Sequence, residues 1–213
     1  MHWIDPDHLP EVSGNFERFL LNPHGEADGM MLTDGTEVHF PPHMAKDVRR
    51  AVNGKNAPVS IRGVRPRSGD LIAAVAIDLP GGQRIIDNGP PEKEKHKPGP
   101  KVERKPMTAE GKTRRVLHGP KGEVRGVLLD DGCIVRFPPH EAKDRASLLS
   151  PGGRFAARGD GIVSELGTVI EAHAIGTGMD DLRPLKPKKP KHEEPKHKAR
   201  GPSTCGWRRC LQW

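Results

Sequence analysis

The stretch Gly25-Glu26-Ala27-Asp28-Gly29-Met30-Met31-Leu32-Thr33-Asp34-Gly35-Thr36-Glu37-Val38-His39-Phe40-Pro41-Pro42-His43 decides the fold, because the chain writes it twice. It returns 97 positions later as Gly122-Glu123-Val124-Arg125-Gly126-Val127-Leu128-Leu129-Asp130-Asp131-Gly132-Cys133-Ile134-Val135-Arg136-Phe137-Pro138-Pro139-His140. One variable residue further on, both copies read Ala-Lys-Asp, at 45–47 and 142–144. A match of this length marks two homologous units, each a supersecondary assembly of the same kind.

Within the first copy, residues 26–33 read as a strand ending at Asp34-Gly35, a strong two-residue hairpin signal. Residues 36–40 form the return strand, with Val38 and Phe40 on one face and Glu37 and His39 on the other. Pro41-Pro42 then ends ladder pairing, since neither residue has an N–H to donate, and proline suits a first helical turn. Residues 43–52 are expected to form a short helix with Met44, Val48 and Val52 on one side. Residues 15–21 precede as a strand closed by turn formers at 22–25, and 58–63 and 71–79 follow as two more. The second copy repeats this order at 113–118, 123–129, 133–137, a helix at 140–149, then 154–159 and 168–175. Gly29 and Gly126, inside the second strand of each copy, are expected to mark a bend or bulge.

Three strands, a helix and two strands resemble the OB-fold, a five-stranded Greek-key barrel. An SH3-like barrel is the rival, but the helix after the third strand argues against it. The paired Asp-Gly hairpin and Phe-Pro-Pro-His block is similar to that of uncharacterised bacterial proteins carrying OB-like domains of nucleic-acid-binding type. The resemblance implies a mainly β chain with two small five-stranded OB-like barrels, each with one short helix between strands three and four, and the composition between and after them adds a disordered linker and tail. The expected division is an N-terminal segment at 1–12, repeat 1 at 13–79, a charged Pro/Gly-rich linker at 80–110, repeat 2 at 111–177 and a basic tail at 178–213.

Composition agrees with ordered units joined by solvated segments. Of 213 residues, 33% are hydrophobic and 30% charged, too polar for a chain folded throughout. No apolar run approaches a membrane span, and the first residues lack a secretory pattern, so a cytoplasmic location is the default expectation. Cys133, Cys205 and Cys210 make no disulfide framework. The net charge of +7 is unevenly placed: residues 13–79 hold eight Lys/Arg and eight Asp/Glu, whereas 178–213 holds ten against four.

OB-folds commonly bind ligands across strands two and three. The outward positions there are Glu26, Asp28, Glu37 and His39 in the first copy, and Glu123, Arg125, Ile134 and Arg136 in the second. The second unit is therefore the expected phosphate binder, with Arg114, Arg115 and Lys121 beside Arg125 and Arg136, while the acidic first unit should repel a polyanion. Lys186, Lys188, Lys189 and Lys191 extend the basic set into the tail, where contacts with polyanions depend on salt more than on sequence. The chain holds no tyrosine, so platforms for base stacking are scarce. These features and the resemblance imply non-enzymatic binding of single-stranded DNA or RNA with low sequence specificity. The alternative is a protein-protein interaction scaffold using the same barrels, with the tail as a solubilising spacer. A third reading is small-molecule or oligosaccharide binding by the acidic face of the first unit.

No metal or other cofactor is expected. A zinc site needs three or four converging ligands. Of His24, His39 and His43, the second copy keeps only the last, as His140, and an imidazole bonding to nearby backbone explains that pair. Cys205 and Cys210 with His192 and His197 fit no zinc spacing. No phosphate loop, G-x-S-x-G elbow or H-E-x-x-H motif points to catalysis, and Asp34 and Asp131 fit turn capping. The finish Cys205-Gly206-Trp207-Arg208-Arg209-Cys210-Leu211-Gln212-Trp213 reads as a docking peptide or a drifted terminus.

Overall fold

In the first copy the alternation of apolar and polar residues closes a barrel. The computed structural model describes residues 5–52, 54–67, 70–89 and 103–186. The first set comprises β1 (Glu11–Leu21), β2 (Ala27–Leu32), β3 (Glu37–His39), α1 (Ala45–Ala51), β4 (Pro58–Val64) and β5 (Leu71–Asp78). β1 pairs antiparallel with β2 and β4, β2 with β3, and β4 with β5, and the ring closes where β3 runs parallel to β5. The second set is β7 (Lys105–His118), β8 (Val124–Leu129), β9 (Ile134–Arg136), α2 (Pro139–Asp144), β10 (Arg154–Ser164) and β11 (Gly167–Gly176), with the same pairings and a parallel β9–β11 closure. Five strands in this order, with a short helix between the third and fourth, form the OB topology. The chain is a tandem pair of OB-fold-like barrels.

Local chemistry explains the repeated motif. The Asp-Gly turns are three-residue loops, one longer than the two-residue expectation: Gly35 N–H donates to Leu32 O and Leu32 N–H to Thr36 O, enclosing Thr33-Asp34-Gly35. Gly35 and Gly132 both have φ of +88°, the left-handed conformation that this loop needs and glycine adopts freely. Asp34 and Asp131 accept the N–H two residues on, from Thr36 and Cys133. Gly29 and Gly126 permit close strand contact: a Cβ would stand 2.5 Å from Val38 O in one and 2.4 Å from Val135 O in the other. The residues just before them, Asp28 and Arg125, are skipped in the β1–β2 and β7–β8 registers, so each is a bulge.

Order extends past the boundaries expected from composition. β6 (Arg84–Ile86) folds back on β5 through a turn in which Gly81 and Gly82 both have positive φ, so this Gly-Gly is a hairpin and not spacer. β7 begins at Lys105 because the long β10 pairs with it from Lys105 to Lys112. After β11, a short β12 (Arg183–Pro184) pairs back at Ala174 and Ile175. The histidine of Pro-Pro-His clips this extension in each copy. His43 Nε2 lies 2.9 Å from Asp87 Oδ1, and His140 Nε2 lies 3.4 Å from Lys186 O. The repeated imidazole therefore holds a segment more than forty residues downstream, not neighbouring backbone.

The second barrel has its own core, including Val127, Leu129, Val135, Phe137 and Phe155. Leu117, Leu128 and Ile134, one position away on the same strands, join the apolar cluster of the first barrel instead, together with Ile162 and Val169. The two barrels are thus packed against each other along β1–β3 and β7–β9. That is why Met30-Met31-Leu32 and Val127-Leu128-Leu129 are unbroken apolar runs: each strand is buried on both faces.

Candidate functional site

The face that OB barrels commonly offer to ligands is consumed by this junction. Glu37, His39 and Arg136 are 2%, 6% and 5% exposed, and Ile134 is buried. Equivalent residues meet reciprocally. Arg18 Nη2 donates to Gly132 O at 2.8 Å, and Arg115 Nη1 donates to Gly35 O. Glu17 and Arg114, the skipped residues of β1 and β7, occupy the same repeat position and form an ion pair with each other. Such pairings are those of a two-fold interface made within one chain.

The buried charges of Glu37 and Arg136 both have partners. Glu37 accepts from the His118 backbone N–H at 2.9 Å and faces His118 Nδ1 at 2.9 Å, with His39 Nε2 at 3.8 Å. Burial pushes the Glu37 carboxyl up, but the hydrogen bonds from the His118 ring and backbone, with the nearby His39 imidazole, outweigh it and bring it down to about 2. The bond to Glu37 raises His118 against the opposing effect of burial. Arg136 donates from Nε to Leu21 O at 2.9 Å and from Nη2 to Asp28 Oδ1 at 3.3 Å. Burial lowers the Arg136 guanidinium and raises the Asp28 carboxyl, and each opposes the shift in the other. Complementary charges across the junction favour one way of docking the two barrels.

A cleft of about 560 Å³ opens beside this pair, where Pro23 of the first barrel meets the Pro-Pro-His turn of the second. Exposed Arg125, His140, His173 and Lys186 line it, with Asp28, Arg136 and Glu171 deeper in. Arg125 is held by Glu123 at 3.0 Å and Glu171 by Arg104. Glu141 Oε1 accepts the backbone N–H of Lys186 at 3.0 Å, which holds Lys186 against the second barrel. The volume and mixed lining are those of a ligand cleft at a domain junction.

The nine sequence-predicted residues separate into four groups. Arg115 and Arg136 are committed to the barrel junction, and Arg114 is half exposed but paired with Glu17. Arg125 and Lys186 share the cleft. Lys121 lies in the β7–β8 turn, its backbone N–H on Glu123. Lys188, Lys189 and Lys191 lie outside the described residues, as do Cys205, Cys210, His192 and His197. Among the described residues no group of three or more His, Cys, Asp or Glu is arranged to hold a metal ion, and His24, His39 and His43 are dispersed onto Arg104, Glu37 and Asp87. No helix among the described residues is long and apolar enough to cross a membrane. The sequence reading gave His140 only a structural role and did not name His173 or Glu171; the closure of β9 against β11 brings β11, with Glu171 and His173, to the cleft beside His140.

No family model matches the chain, and no curated protein matches it. Among solved structures, a deletion mutant of the single-stranded DNA binding protein from Thermus aquaticus is similar at 16% identity, over 85% of this chain and 96% of that one. The TM-score of 0.25 does not indicate a shared overall arrangement.

Proposed function

We propose that the chain binds single-stranded DNA or RNA, with low sequence specificity and without catalysis, along the cleft at the barrel junction. The observation that carries this reading is that exposed Arg125 and Lys186 line one cleft, and that the sequence continues from Lys186 into Pro187-Lys188-Lys189-Pro190-Lys191. Phosphates would sit on Arg125 and Lys186, and bases on the exposed imidazole rings of His140 and His173, which offer planar surfaces where aromatic side chains are scarce. Arg125 is half exposed in its pairing with Glu123, so its guanidinium can also reach a phosphate from the solvent side. A scaffold using the β2–β3 and β8–β9 faces has less support, because those faces cover one another. The test is anisotropy titration of labelled oligonucleotides at about 50 and 200 mM salt, where phosphate contacts predict a steep loss of affinity. Arg125→Gln with Lys186→Gln should weaken binding and lower the slope of log K against log salt by about one and a half. Absence of binding by the wild-type chain at low salt would refute the reading.

A further inference from the structure

A second groove, of about 530 Å³, lies on the first barrel, between α1 and the β1–β2 loop. Its walls carry Lys46, Arg49 and Arg50, three exposed cations spaced three and four residues apart on one helix face, while Ala45 and Val48 are turned into the core. Its acidic member, Glu26, is held by the Asn22 side chain at 3.1 Å. Arg49 faces Glu165 at 3.8 Å, but that carboxylate is 94% exposed, so the pair is weak and exchangeable. Leu166, at the tip of the β10–β11 hairpin, closes the groove from the second barrel.

The groove and the junction cleft are neighbours. Pro23 lines the cleft and Gly25 the groove, two residues apart in one loop, so their backbones are within about 7 Å. The two copies have also diverged in complementary ways. The positions equivalent to Lys46, Arg49 and Arg50 are Lys143, Ala146 and Ser147, and the position equivalent to Arg125 is Asp28. Lys46 is kept as Lys143, but Arg49 and Arg50 in the first barrel and Arg125 in the second are exposed cations that the other copy lacks, and they line the two pockets that share the 22–26 loop.

Resting on the nucleic-acid reading above, we infer that the α1 face of Lys46, Arg49 and Arg50 is the first barrel's share of the same binding path. A single strand seated at Lys186 and Arg125 crosses the 22–26 loop and continues along α1. The groove faces solvent beside the junction, so the path works with the barrels docked and leaves the β2–β3 face covered.

The experiment uses the full chain, with oligothymidylates of about 4 and about 16 nucleotides, the range one OB unit engages. Lys46→Gln/Arg49→Gln/Arg50→Gln should bind the long oligonucleotide at least tenfold more weakly at low salt, with the salt slope smaller by about two, at roughly 0.7 per phosphate contact on a single strand. The same variant should bind the short oligonucleotide like wild type, whereas Arg125→Gln/Lys186→Gln weakens both. Wild-type affinity and slope of the helix variant for the long oligonucleotide, alongside a weakened cleft variant, would overturn this inference and leave the proposed function standing. No binding by the wild-type chain would remove the proposed function, and this path with it. Urea midpoints keep the comparison sound; if the triple variant unfolds early, Lys46→Gln alone, with an expected slope loss of about 0.7, replaces it.

Discussion

Arg18 reaches across the junction to the carbonyl of Gly132, 2.8 Å from its Nη2, and the same bond recurs in mirror order from Arg115 to Gly35. The Asp-Gly loop that turns each hairpin thus also presents its glycine carbonyl to the other barrel. Replacing either arginine by Met leaves that carbonyl without its charged donor. Each change should cost about 1–3 kcal/mol, read from urea denaturation. A loss below about 0.5 kcal/mol in both would show that the reciprocal bonds do not hold the barrels together.

Glu17 and Arg114 pair although they are copies of one another in the repeat. Glu17→Arg sets two guanidiniums together and should destabilise the chain, and adding Arg114→Glu should restore it. Because Arg114 is half exposed, a coupling of only about 0.5–1 kcal/mol is expected from the double-mutant cycle. Additive effects of the two changes would remove the pair from the account of the junction.

The Glu37–His118 contact makes docking depend on pH. Glu37 titrates at about 2 when folded, below its ordinary 4.5, so its contribution is present above pH 4.5 and is lost as pH falls toward 2. His118 is raised above its ordinary 6.5, so its contribution is complete below 6.5 and is lost as pH rises through the raised value. The pair acts at full strength between those two ordinary values, with Asp70 supporting the imidazolium and Arg115 opposing it. Stability followed by urea midpoint should decline on the alkaline side of this window, and His118→Gln should flatten that decline. An unchanged alkaline limb in the variant would exclude His118 as its source.

Gly29→Ala and Gly126→Ala should each destabilise by about 1–3 kcal/mol, since a methyl cannot share space with a carbonyl oxygen 2.5 or 2.4 Å away without parting the strands. Thermal melts of both variants provide the check. Unchanged midpoints would mean that the strand contact is looser than the structure has it.

His43→Ala should release β6 from the barrel without unfolding it. The expected signature is faster amide exchange in Arg84–Ile86, with protection retained at buried Ile61 and Ile77. Equal protection of β6 in wild type and variant would show that strand pairing alone holds it.

Much of the fold was legible because it depends on neighbours in sequence. Asp34-Gly35 and Asp131-Gly132 announce hairpins through glycine's access to positive φ, and Pro41-Pro42 and Pro138-Pro139 end strands by lacking N–H groups. The Gly81-Gly82 hairpin was hidden by its proline- and charge-rich surroundings, which have the composition of a spacer. The candidate site was less legible. Asp28 and Arg125 read as members of one acidic and one basic surface facing solvent, and the simplest inference was that one repels a polyanion and the other binds it. The unbroken runs at Met30-Met31-Leu32 and Val127-Leu128-Leu129 carried the contrary signal, since a strand with a wet face has no need of them.

By itself, then, the sequence determined that two like barrels exist, because duplication, turn chemistry and strand alternation are local or nearly so. Only the tertiary structure decided that their polar-looking faces meet, burying Glu37 and Arg136 and moving the exposed cations to a cleft at the edge. The reason is physical: whether an outward side chain meets water or another surface depends on how two folded bodies complement each other in shape and charge, and no spacing along one strand encodes that.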